Sequence, residues 1–117
     1  MQNSKPYNLE ERTFQFAQRC REFVKQLPRT VPHQEYGRQL IRSSGSQAAN
    51  YLEANECLGK KDFAHRIRIA RKEAKESCLW LKLCECDERL KVEQQALLQE
   101  GIELRNIFTA ILGKTGL

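Results

Sequence analysis

The sequence predicts an all-α protein, an antiparallel up-and-down four-helix bundle, on three observations. Apolar residues recur at three- and four-residue steps through four separate segments. The breaks between those segments are short, which favours helices that turn back on their neighbours. The chain of 117 residues has only three prolines, all before position 33, and its length supplies one core but not two.

The first helix is expected over about residues 8–27. Asn8 followed by Glu11 has the spacing of a capping box, and Leu9, Thr13, Phe16, Ala17, Cys20, Phe23, Val24 and Leu27 form one stripe that ends at Pro28. Pro32 is placed to open a second helix, about 33–58, whose inner face is Leu40, Ser44, Ala48, Tyr51 and Leu58, with Gly59 as its stop. Asp62 begins a third, about 62–86, with Phe63, Ile67, Ala70, Ala74, Cys78 and Leu81 inward. After a turn at "CDERLK", a fourth helix, about 92–112, carries Leu97, Gly101, Leu104, Phe108 and Ile111. The whole chain, 1–117, reads as one domain.

Composition narrows the function classes. With 40% hydrophobic and 30% charged residues the chain is globular, not disordered. No apolar run resembles a signal peptide or reaches the roughly 20 residues of a membrane span, so a soluble cytoplasmic protein is expected. Five cysteines, Cys20, Cys57, Cys78, Cys84 and Cys86, are scattered through helical pattern and read as reduced thiols. On a helix, the two sulfurs of "CEC" would project about 200° apart, and there is no CxxC or HxxxH, so no metal and no cofactor is expected.

The second helix gives up side-chain volume at "RSSGSQAAN", residues 42–50. Gly45 with Ala49, and Ser44 with Ala48, lie one turn apart, which would let a neighbouring helix approach closely. A mid-helix glycine costs about 1 kcal/mol relative to alanine, so close packing must offset it. Beside these residues Gln39, Arg42, Ser46, Asn50 and Glu53 fall within about 80° of one another, a polar stripe suited either to solvent or to a specific neighbour.

Net charge is +5, and much of it lies on one helix. Lys61, His65, Arg68, Lys72, Lys75 and Lys82 recur along the third helix opposite its apolar stripe. Such a face is either solvated decoration or a site for phosphate, whose charge would relieve the repulsion. Between stripe and core lie Ile69 and Trp80, with Leu83 further round, partly separated by Glu73 and Glu76. These apolar residues either widen the core or form a subunit interface. His65 has no companion nucleophile or second base, so no catalytic residues are assigned.

Two segments, "RQLIRSSGSQAANYLEA" and "KKDFAHRIRIARKEAKESCLWLKL", together resemble the four-helix bundle family of proteins encoded in intervening sequences of bacterial 23S ribosomal RNA genes. The family's Q-L-x-R opening, small segment with Ser, A-N and following Glu correspond to Gln39, Leu40, Arg42, Ser46, Ala49, Asn50 and Glu53. "IRIARKEAKES" and the "WL" after it match the family's form with Glu73 and Glu76. The resemblance spans about residues 8–112, with its specific part in helices two and three; Ala54 departs from the glycine usual after Glu53.

The resemblance implies antiparallel bundles assembled into homopentameric rings without known catalytic residues. It also implies kinship with accessory proteins of the reverse transcriptases of diversity-generating retroelements, which bind nucleic acid. Two functions follow as expectations. One is a non-enzymatic oligomer that binds RNA or DNA backbone through Lys61, His65, Arg68, Lys72, Lys75 and Lys82. Its subunits would meet at Arg42, Ser46, Asn50, Glu53, Ile69 and Trp80. The other is a protein–protein scaffold, for example an accessory subunit of a reverse transcriptase, with no direct nucleic-acid role.

Overall fold

The computed structural model describes residues 8–117 and consists of four helices, with no strand among the described residues. Helix α1 spans Leu9–Val24. The Asn8 side-chain oxygen accepts from the Glu11 N–H at 3.2 Å, satisfying one of the helix's orphan donors. The Glu11 carboxylate accepts from Gln15 instead of closing a reciprocal box. The helix stops three residues short of the expected end. Gln26 and Leu27 donate to Phe23 and Val24 in tighter turns, and Pro28 disfavours a helical residue before it. Leu27 is nevertheless buried.

Helix α2 covers Val31–Glu56, two residues earlier than expected at both ends. Thr30 is the cap, its hydroxyl accepting from the His33 N–H at 3.3 Å, so Pro32 falls within the first turn. At the other end Cys57 is extended, and Leu58 is fully exposed, not part of the inner face. Gly59 is extended too and acts as the cap of α3, not as a left-handed stop for α2.

Helix α3 spans Lys60–Leu83 and α4 spans Glu88–Thr115. The expected turn at "CDERLK" is shorter, covering residues 84–87, because Asp87 caps α4: its side-chain oxygen accepts from the Leu90 N–H at 2.9 Å. Leu90 is thereby carried into the core. Gly116, at φ 74°, supplies the left-handed conformation that ends α4. Since Cys84 and Cys86 sit in this turn, the helical argument about their directions does not apply. All five thiols are free, and burial, then the neighbouring Cys86, pushes Cys84 up to about 12.

Helix α2 packs against α1 and α3, and α4 against α3 and α1; among the described residues the diagonal helices keep their backbones apart and meet only through core side chains, as where the Tyr51 and Phe108 rings lie 6.0 Å apart. Phe16, Phe23, Leu40, Ile67, Leu81, Leu97, Leu104 and Phe108 are fully buried at the centre. Each contributes about 1.5–3 kcal/mol of hydrophobic stabilisation. The α2–α3 contact is the most extensive. The Ser43 and Ser77 hydroxyls meet across it at 2.7 Å, and Ala54, Ala64, Ala70 and Ala74 are buried in the core.

The small-residue expectation for α2 holds in part, since Ser44 is buried and Ala48 half-buried, but not at Gly45 and Ala49. Gly45 has open space where a Cβ would sit, and Ala49 is exposed. Close approach is required instead at Gly37, where a Cβ would come within 2.8 Å of Val24, and at Gly101, where it would come within 2.6 Å of the Cys78 sulfur. Buried polar groups tie the helices further. Gln47 donates to the Thr13 and Ser44 carbonyls, and Gln94 donates to the Leu81 and Cys84 carbonyls. Buried His33 accepts from the Glu85 N–H at 3.0 Å through Nε2, so its ring proton lies on Nδ1, 2.8 Å from the Thr30 hydroxyl.

Candidate functional site

Lys61, His65, Arg68, Lys72, Lys75 and Lys82 are all exposed on α3. The helix does not use them equally. Lys72, Lys75 and Lys82 line a groove between α3 and α4 of about 680 Å³, where they are joined by Arg105. His65 lies in a separate depression of about 340 Å³ with Glu53, Glu56, Cys57, Asp62 and Arg66. Lys61 and Arg68 belong to neither. No group of three or more His, Cys, Asp or Glu among the described residues is placed to hold a metal ion.

The groove has an apolar floor, formed by Cys78, Leu79, Leu98 and Ile102. Gly101 makes that floor possible, because only its missing side chain lets the Cys78 sulfur lie against α4. Burial raises the Cys78 thiol above its ordinary range, although Arg105 and Lys82 pull the other way, so the sulfur is neutral lining at neutral pH. Glu76 is the one carboxylate among the described residues that line the groove, and it lies 3.6 Å from Arg42.

Leu79, at 46% exposure, occupies the step between Lys75 and Lys82 in the cationic stripe. Its spacing made it visible in the sequence, but a search for charges passes over it. Arg105, Gln95, Gln99, Leu98 and Ile102 come from α4, and no local signal ties them to the stripe.

The expected interface residues are engaged within the chain to different degrees. Arg42 lies 3.4 Å from the buried carboxylate of Glu73, which Lys72 also approaches at 3.7 Å. Asn50 donates to the Ser46 carbonyl and hydroxyl and accepts from Arg66 at 3.0 Å. Glu53 is exposed, whereas Ser46, Ile69 and Trp80 are half-buried. Trp80 stacks on Tyr36 at 6.4 Å, and its buried indole N–H has no acceptor among the described residues. Among the described residues, nothing packs over Gly45 and Ala49 is exposed, with half-buried Ser46 between them, beside this polar set.

Residues 7–110 match the family described as 23S rRNA-intervening sequence protein. No curated protein matches the chain. A solved structure from Bacteroides thetaiotaomicron, a protein of unknown function from the S23 ribosomal protein family, has a similar fold. It superposes with a TM-score of 0.74 at 24% identity, over 90% of this chain and 98% of that one. No helix among the described residues is long and apolar enough to cross a membrane.

Proposed function

We propose that this chain, which belongs to the 23S rRNA-intervening sequence protein family, is a non-enzymatic cytoplasmic protein that binds the backbone of RNA or DNA through α3. Its fold is read as a single antiparallel up-and-down bundle. That reading is supported by contacts in opposite order along neighbouring helices: Ser43 with Ser77 and Asn50 with Arg66, Arg12 with Glu100 and Arg19 with Glu93.

The observation that carries the binding function is the exposed series Lys61, His65, Arg68, Lys72, Lys75 and Lys82, reinforced by Arg105 from the next helix. Side chains on two helices that converge on one groove are harder to explain as general solubility than a single lysine face. Replacing Arg68, Lys72 and Lys75 together with glutamine is expected to weaken binding and flatten its salt dependence while helical circular dichroism is unchanged. Equal binding by parent and variant would reduce the face to solvent decoration.

The chain is further proposed to form a closed ring of copies, with Arg42, Ser46, Asn50, Glu53, Ile69 and Trp80 at the subunit contact. The open space at Gly45 and the exposure of Ala49 support this, since nothing among the described residues covers them. Ser46→Leu is expected to shrink the assembly in light scattering; unchanged mass would remove Ser46 from the interface. The exposed Leu79 and Ile102 favour a second reading, a protein scaffold such as a polymerase accessory subunit. Salt separates the two readings, because phosphate contacts weaken steeply as it rises.

A further inference from the structure

We propose that the α3–α4 groove takes an unpaired stretch of nucleic acid, with bases laid on the Leu79, Leu98 and Ile102 floor and phosphates on Lys72, Lys75, Lys82 and Arg105. This rests on the nucleic-acid reading above and specifies the strand state that reading leaves open. A nucleotide has three chemistries, and the groove carries a counterpart to each. Four cations face one carboxylate among the described lining residues, and that carboxylate is already beside Arg42. The aliphatic floor offers dispersion and desolvation to a base face. Gln95 and Gln99 are exposed on the α4 rim; the Gln95 amide can both donate to and accept from base edges, and Gln99, whose N–H donates to Glu103 at 2.9 Å, keeps its carbonyl oxygen as an acceptor.

A duplex cannot use this set fully. Its base faces are stacked against one another, so it would touch the cations and leave the floor wet. The two walls run from Lys72 to Lys82 and from Gln95 to Arg105. At the rise of an α-helix each is about 15 Å long, enough for a few nucleotides of extended strand. No aromatic side chain lines the groove among the described residues, so binding is expected without strong base preference.

The test compares three probes at low salt by fluorescence anisotropy: a short oligothymidylate, an abasic oligomer of the same length and charge, and a hairpin duplex. The oligothymidylate should bind about tenfold more tightly than the abasic strand, a difference of about 1.4 kcal/mol. Leu79→Asn with Ile102→Asn should erase that difference and leave duplex affinity unchanged. Gln95→Ala with Gln99→Ala, both at exposed positions, should reduce it without touching the floor.

Equal affinity for oligothymidylate and abasic strand would overturn the groove inference while leaving the backbone reading intact. Failure of all three probes to bind would overturn the proposed function itself, and this inference with it. An acidic amphipathic peptide that occupies the groove and is not displaced by oligothymidylate would assign it to a protein partner and overturn the inference as well.

Discussion

The α2–α3 and α1–α4 seams solve the same problem, holding two helices side by side, by opposite means. The α2–α3 contact is the most extensive, and at its buried centre small Ser43 and Ser77 meet hydroxyl to hydroxyl. The α1–α4 contact is the smallest of the four, and long side chains span it. Arg12 reaches Glu100 and Glu103, each at 2.7 Å, and Arg19 reaches Glu93 at 3.2 Å. Close packing works through shape and is insensitive to salt, whereas charged bridges are electrostatic and screened. One bundle therefore contains seams that should respond differently to the same perturbation.

The largest effect is expected at the close seam. Ser43→Leu would force a longer side chain against α3 and remove the hydroxyl that meets Ser77, for a loss of about 3 kcal/mol. Urea denaturation should show a lower midpoint, equally at low and high salt. A change under 1 kcal/mol would show that the seam has slack and would dissolve the contrast.

Arg12→Ala should be milder, about 1 kcal/mol, because it strands the partly buried Glu100 carboxylate while Glu103 can turn to water. The difference from the parent should shrink as salt is raised. Acid should have the same bias. Gln99, then Arg12, holds the Glu103 carboxyl below its ordinary range, so its contribution is present above that range and is lost as pH falls through the lowered value. Protection of α1 amides, taken relative to their intrinsic exchange rates, should therefore fall with acid before protection along α2–α3, and less so in Arg12→Ala. Arg19→Ala, across an exposed pair, is expected to change stability by no more than a few tenths of a kcal/mol.

This contrast also marks where the sequence was legible. The helices announce themselves through apolar spacing, and Phe16, Phe23, Ile67, Leu97 and Phe108 lie where periodicity puts them. The caps are less legible, Asn8 excepted. Asp87 sits amid polar residues that look like turn, and only the geometry of its side chain shows that α4 has already begun. Ser43, Gln47 and Glu73 are buried because of partners on other helices, which periodicity in one helix cannot reveal. The same holds for the groove: its lysine wall is written along α3, but Arg105 and Ile102 join it only once α4 has folded back.

The hydrogen bond from the Glu85 N–H to His33 gives the bundle a direction. At that end one imidazole stitches the start of α2, through Thr30, to the turn between α3 and α4, and Gln94 fastens the same turn from α4. At the other end the link between α2 and α3 carries the fully exposed Leu58 and closes through local bonds alone among the described residues, the Cys57 N–H and thiol donating to the Ala54 and Glu53 carbonyls and the Phe63 N–H to the Gly59 carbonyl. Thermal breathing should accordingly travel one way, opening at Leu58 and arresting at His33, so a protease or an inserted sequence would find the hinge at residues 57–59 long before the clasp at 84–87.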